Sequence, residues 1–423
     1  MLTLLLPLFS SPAHACPTIA TGTPSGLLFD VAQVAIVRQD GRTTFSVSIN
    51  PVGDTQEFAL VMPVPTVLAE NEVKTLDGAI FGRLDGYSAP RHVADAGCGR
   101  LQSGGSNDTG AAADGDGGID GGDGTVDVEA TYLVGDYEVV ILSAEESMGL
   151  ETWLTTHGYH LPDGADARLA EYIESGSFFL AAKVAPGADL ADGSALAPLQ
   201  ISYLSDGFTI PLRLATLNSP GEQDMVIYAI TESQAPDGGR VGIANYPEFT
   251  IPDKCMWDDP SGNNDFTSFY EDAFDQGWLA MSDAAWTVEF AGEWGSCNPC
   301  SGVNVDEADL AALGFTGDAW DHHLTRIRAR YTPEQATQDL VLYGSGLNEA
   351  KVTSFADLSQ QNAQCIDSVC FAEDEEEDRA SNPPLAEHGC GCETTPASGA
   401  AFAGGLAAAA LVRRKRWAMS KSR

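Results

Sequence analysis

Apolar residues fall mostly into short runs of five to ten, rich in β-branched and aromatic side chains and bounded by turn residues, a strand pattern. Val31–Val37, Thr44–Ile49 and Glu57–Val61 are the first three, separated at Asp40-Gly41 and Gly53-Asp54. Phe45, Val47 and Ile49 alternate with Thr44, Ser46 and Ser48, so the second run reads as a strand with one wet face. Further strands are expected at Val126–Leu133, Tyr137–Leu142, Phe178–Val184, Leu199–Leu204, Met225–Thr231, Trp286–Phe290 and Thr325–Tyr331. A period of 3.6 interrupts them in two adjacent places. Ser143 and Glu146 have capping-box spacing, followed by Leu150, Trp153, Leu154 and His157 and stopped by Gly158; Leu169, Tyr172 and Ile173 repeat the spacing before Gly176. Asp306 is placed to cap a short helix carrying Leu310 and Leu313 and ended by Gly314, and Thr332, Pro333 and Gln335 read as the opening of another. Strands without regular βαβ alternation, joined by a few helices, predict an α+β fold, β-rich, with a strand-helix-helix-strand module at Tyr137–Val184. No repeat of fixed period is present.

Both ends read as addresses. Residues 1–15 form a short apolar run closing on Ala13-His14-Ala15, the pattern of a secretory signal peptide cleaved after Ala15 to leave Cys16 first. At the other end Cys390 and Cys392 precede Ala397–Val412, an uncharged span of Ala, Gly, Leu, Phe and Val, and Arg413, Arg414, Lys415 and Arg416 follow at once. Sixteen helical residues cover roughly 24 Å, somewhat less than a ~30 Å hydrocarbon core, so the transmembrane segment would be a weak anchor with its basic end on the cytoplasmic side. The expected organisation is a signal peptide at 1–15, a body at 16–370, an acidic linker at 371–388 and the tail at 389–423. Within the body, Arg100–Gly124 is a Gly/Asp-rich insert with little apolar side chain to bury.

Charge narrows the partners. The chain carries 61 acidic against 22 Lys and Arg residues, a formal net charge of −39. That excludes a surface built to grip nucleic acid, and the tail alone, with six Lys or Arg and one Glu, reverses the sign. The expected partners are the export and sorting machinery and, through the tail, the membrane.

The Cys, span and Arg order of the last 35 residues resembles the MYXO-CTERM sorting signal, which implies passage through the inner membrane, removal of the tail near the Cys motif and surface display. Over roughly Ala15–Leu342 the blocks FALVMPVP (Phe58–Pro65), LDGYSAPR (Leu84–Arg91), VGDYEVVILSAEE (Val134–Glu146), WLTTHGY (Trp153–Tyr159), FTIPLRL (Phe208–Leu214), CNPC (Cys297–Cys300) and LTRIRARYTPEQATQDLVL (Leu324–Leu342) resemble the bacterial family known as domain of unknown function 2330. That resemblance implies a β-rich envelope fold and brings no mechanism.

Candidate chemistry is sparse. The chain has no G-x-S-x-G, H-E-x-x-H, Walker or EF-hand motif. Cys16, Cys98, Cys255, Cys297, Cys300, Cys365 and Cys370 form an odd set of seven, expected to pair as disulfides in an oxidising compartment with one left over. The same C-x2-C and C-x4-C spacings could instead build a zinc site, and Cys297-Asn298-Pro299-Cys300 could act as a redox pair, although its nearest helix cap, Asp306, lies six residues beyond Cys300. His157, His160 and Asp163 could hold a metal; the plainer reading gives His157 an apolar helix face and His160 a loop. His322 and His323, after Asp321, should point to opposite faces of a strand. Asp114, Asp116, Asp120 and Asp123 could gather Ca²⁺ but miss EF-hand spacing. The reading is an exported, surface-displayed binding or structural module with no cofactor and no assigned catalytic residue. The alternatives are an envelope enzyme, working at Cys297/Cys300 or His157/His160, and a calcium-dependent adhesive module.

Overall fold

The computed structural model describes residues 19–21, 28–29, 32–48, 51–52, 58–93, 126–159, 161–185, 196–218, 221–251, 254–256, 266–293, 295 and 300–357. The chain separates into two units, Met1–Asp374 and Glu375–Arg423, and every described residue lies in the first. The fold is α+β. Its helices are α1 (Ala79–Ser88), α2 (Ser147–Thr156), α3 (Ala165–Glu174), α4 (Phe266–Leu279) and α5 (Glu307–Leu313).

Two large sheets carry the core. Eight strands run in the order Lys351–Val352, Ala285–Glu293, His322–Tyr331, Gln223–Glu232, Ala32–Gln39, Arg42–Ser48, Leu199–Leu204 and Val73–Thr75, antiparallel except where Gln223–Glu232 meets Ala32–Gln39. Five antiparallel strands form the second, in the order Ile19–Thr21, Phe58–Val64, Phe178–Val184, Tyr137–Ala144 and Val126–Val134. Period-two alternation sends Val34, Ile36, Met225, Ile227 and Ile327 from the first sheet against Leu60, Met62, Val139, Ile141 and Leu180 from the second. The opposite faces are also covered. Leu150, Leu154, Leu169 and Tyr172 of α2 and α3 lie on Val61, Val140, Leu142 and Phe179, and α1 and α5 pack Phe81, Leu84, Leu310 and Leu313 on Val37, Val226, Tyr228 and Phe290. The result is four layers, helix–sheet–sheet–helix.

The outer face of the eight-stranded sheet holds charge as well as hydrocarbon. On the His322–Tyr331 strand Arg326, Arg328 and Arg330 occupy alternate positions, so all three point outward and all three are buried beneath α1 and α4. Asp224, directly across from Arg330, accepts from Arg330 Nη2 at 2.8 Å and also bonds Arg330 Nε and Arg328 Nη2. On the other flanking strand the register slips between Val288 and Phe290, and the extra residue, Glu289, meets Arg326 Nε and the hydroxyl of Tyr270. Glu289 continues the outward alternation of Ala285 and Thr287, and the bulge turns the next residue, Phe290, onto the same helix-covered face. From above, Asp85 of α1 bonds Arg326 at 2.6 Å, and Glu271 of α4 takes both Arg328 amino groups at 2.9 and 2.7 Å. Phe274 of α4 covers Arg328 and Arg330, with its ring centre 3.9 and 4.7 Å from the two guanidinium carbons.

Several sequence expectations need correction. The strand predicted at Thr44–Ile49 runs over Arg42–Ser48 and has no wet face: Thr44 and Ser46 are buried. Gln200 bridges Ser46 and the Ala312 carbonyl of α5, and Thr44 bonds Ser202. Gly314, the αL C-cap of α5 (φ 98°), sits so close to Thr44 that a Cβ there would fall 2.9 Å from it. Ser143 caps no helix. It stays in the ladder opposite Asp127 and donates to Glu129, and α2 begins at Ser147 with Glu146 extended at its N-cap. Thr332 and Gln335 do bond reciprocally, yet only one turn follows, because Thr337 N–H returns to the Gln335 carbonyl and Tyr246 takes the Gln338 backbone. α5, with its Asp306 cap, and the strands Phe178–Val184 and Leu199–Leu204 match their predicted bounds.

The arginine strip yields a graded prediction. Asp224 is 2% exposed, whereas Asp275, which also bonds Arg330, is 49% exposed. Asp224→Ala should cost about 3–5 kcal/mol in urea unfolding because two buried guanidinium groups lose their inner partner, while Asp275→Ala should cost less than about 1 kcal/mol. Burial alone would raise the Asp224 carboxyl, but Arg330 and Arg328 hold it below its ordinary value. Its contribution is therefore complete above the carboxylate range and is lost as pH falls through the depressed native value. Equal costs for the two variants would refute the ranking.

Candidate functional site

Of the positions nominated from sequence, Cys16, Cys98, Cys297, Cys365, Cys370, Cys390, Cys392, His160, Ala15, the Asp114–Asp123 carboxylates and the Arg413–Arg416 cluster lie outside the described residues. So do the signal peptide, the insert, the linker and the tail. Cys255 lies in the strand Lys254–Met256, and Cys300, exposed just ahead of α5, is disulfide-bonded. No described helix is long and apolar enough to cross a membrane. Among the described residues no group of three or more His, Cys, Asp or Glu is placed to hold a metal ion.

His157 does not complete an apolar face. It ends α2 exposed, stacked 3.9 Å from the Trp153 ring with Nδ1 2.7 Å from the Trp153 carbonyl oxygen. His322 and His323 point opposite ways, as the strand requires. His322 packs with Leu84, Tyr87 and Leu310 on the helix-covered face, and burial lowers its pKa. His323 is fully buried on the other face, beside Thr325 and near the Arg240 cation, and burial pushes it down to about 4.

A broad concavity with converging polar groups, a cleft of about 450 Å³, lies among the described residues. It opens where the Phe58–Val64 strand runs out through Pro63, Val64 and Pro65, where α3 ends at Ser175, and where the Leu199–Leu204 strand turns through Ser205-Asp206-Gly207 into Thr209–Ile210. Its floor is a clasp of three residues from distant parts of the chain. Asp339 Oδ1 accepts from Leu212 N at 2.9 Å, Arg213 N at 3.2 Å and Tyr172 Oη at 2.5 Å, and Asp339 Oδ2 accepts from Arg213 Nη2 at 3.0 Å. Arg213 also bonds Glu171, and its guanidinium carbon lies 4.3 Å from the centre of the Tyr172 ring. Burial favours neutral Arg213, but Asp339 and Glu171 outweigh it and hold the guanidinium charged; burial and Asp339 push the Tyr172 hydroxyl up. The clasp is internally neutralised, which makes it a rigid base.

Of these groups the sequence marks only Tyr172, and as a position on the apolar face of a helix. Arg213 and Asp339 lie in the blocks FTIPLRL and TQDLVL, 126 residues apart, and no local spacing links them. The single turn at Thr332–Ala336, in place of the predicted helix, is what brings Asp339 back to Leu212 and Arg213.

The two histidines offer a pH test. A group held near 4 in the folded chain but near 6.5 when unfolded takes up protons preferentially in the unfolded state. Stability from neutral His323 is therefore full above about pH 6.5 and falls as pH drops toward 4. Between pH 7.5 and 4.5 the parent protein should lose about 2–3 kcal/mol more than His323→Gln, read from urea midpoints. Parallel profiles would show that His323 is already protonated or accessible to water.

A model of a bacterial family described as an uncharacterized conserved protein, DUF2330, matches residues 11–343. No curated protein and no solved structure matches the chain. The matched span takes in both large sheets except the short Lys351–Val352 strand, all five helices and every residue of the cleft. The chain belongs to the DUF2330 family.

Proposed function

We propose that this protein is an exported, surface-displayed envelope module that binds a small ligand in the cleft between α3 and the Ser205–Thr209 turn. The observation that carries the binding reading is the cleft itself: about 450 Å³ lies within the range of ligand pockets, and its floor is locked by the Arg213–Asp339–Tyr172 clasp. Such a floor positions a ligand at little reorganisation cost, which suits binding. Export is supported by the apolar run ending at Ala15, by Cys390 and Cys392 ahead of an uncharged span, by the basic Arg413–Arg416 end, and by the resemblance of that order to the MYXO-CTERM signal. The acidic body suits a soluble, self-repelling surface.

Export and binding are tested separately. Protease treatment of intact cells, with mass spectrometry of both mature termini, should find the body outside, beginning at Cys16 and ending near Cys390 or Cys392. A full-length chain confined to the cytoplasm would contradict export. A crystallographic fragment screen should place bound fragments against Arg213, Tyr203 or Asp206; fragments gathered only elsewhere would contradict the cleft.

A further inference from the structure

We infer that the cleft recognises a neutral saccharide, an inference that rests on the binding role proposed for it. The polar groups facing the cleft divide into two kinds. Arg213, Asp339 and Tyr172 spend their charge and most of their hydrogen-bonding capacity on one another, so no uncompensated cation is left to select an anion. The remaining groups are hydroxyls and acceptors. Ser175 donates to the Tyr172 carbonyl and lies 3.2 Å from Ser177 at the end of α3, and Ser205 is saturated, donating to the Gly207 carbonyl and bonded to Arg38 and Thr43. On the Ser205–Thr209 turn the side chains of Asp206 and Thr209 are exposed and have no hydrogen-bond partner among the described residues.

A ligand that satisfies such a lining must bring several hydroxyls, each able to donate and to accept, without bringing a net charge. The Asp206 carboxylate has the two oxygens needed to accept from a vicinal diol, and the Asp339 Oδ2 oxygen retains a lone pair beyond its bond to Arg213. The walls are apolar: Pro63, Val64, Pro65 and Pro211, with Leu204 exposed at the rim. These rigid surfaces suit the C–H faces of a pyranose ring, whose burial supplies the area term while its hydroxyls meet the polar wall. A cleft of about 450 Å³ admits an oligosaccharide segment in preference to one ring alone. An alkylamine is the competing chemistry, since Asp206 and Glu171 are acidic. However, Glu171 is already engaged by Arg213 and Arg168, and the hydroxyl protons of the lining find no acceptor on an ammonium.

The test uses the full chain and four neutral probes: maltotriose, cellotriose, mannotriose and triacetylchitotriose, with spermidine as the amine control. Saturation-transfer NMR followed by calorimetry at millimolar ligand should show binding of at least one saccharide. Asp206→Ala should weaken it about tenfold, and Thr209→Trp, which fills the mouth of the cleft, should abolish it with the melting temperature kept. Binding that survives Thr209→Trp would place the saccharide elsewhere and overturn the inference. Spermidine binding without saccharide binding, or fragments in the cleft with no saccharide binding, would overturn the ligand class and leave the binding role standing. Silence of all four saccharides together with an empty cleft in the fragment screen would overturn both.

Discussion

Three arginines on one face of a central strand make a demand that the surrounding structure has to meet. A guanidinium removed from water costs several kcal/mol unless paired, and Arg326, Arg328 and Arg330 are all buried. Asp224 and Glu289 answer from within the sheet, and Asp85, Glu271 and Asp275 answer from the helices above. The inner partners fix the register, because Asp224 lies opposite Arg330 and Glu289 meets Arg326 at the bulge that follows Val288. The outer partners fix where α1 and α4 sit. Phe274 and Trp278 then cover the guanidinium faces, so the helix layer meets the sheet through charge and aromatic surface as well as through the apolar cluster of Phe249, Tyr270 and Ala285.

The same device recurs at the cleft with the opposite consequence. Arg213 and Asp339 form another long-range pair with an aromatic beneath the guanidinium, but here the pair stays half-buried at the end of the sandwich. It joins α3, the segment after Thr209–Ile210 and the approach to the Leu340–Gly344 strand. In the strip the network closes the space between helix and sheet. At the cleft it makes a floor and leaves room above. The binding proposal therefore rests on an ordered base that costs nothing further to organise when a ligand arrives.

Much of the fold was legible because it obeys local rules. The strands at Phe178–Val184 and Leu199–Leu204 alternate or run apolar between turn residues, and Asp306 with Gly314 marks both ends of α5. α1 and α4 are weakly marked although Ile80, Leu84 and Tyr87, and Tyr270, Phe274 and Trp278, have helical spacing, because glycines at 82, 86 and 277 weaken the helical signal. The polarity of Thr44 and Ser46 suggests a wet face, but Ser202 and Gln200 satisfy those hydroxyls inside the protein beneath α5. Arg-x-Arg-x-Arg at Arg326–Arg330 has strand alternation, but its counter-charges come from four other elements, and nothing along the chain announces them. The clasp was hidden for the same reason, with its two charges 126 residues apart.

The central claim, that buried arginine pairs set how the outer layer meets the sheet, is tested most directly by a double-mutant cycle on Arg330 and Asp224. Arg330→Met and Asp224→Leu, alone and together, would be unfolded in urea at neutral pH. Mutual dependence predicts a coupling of about 2–3 kcal/mol, with the double variant recovering much of the stability that either single variant loses. A coupling below about 0.5 kcal/mol would mean that the two charges act independently, and the account would be contradicted.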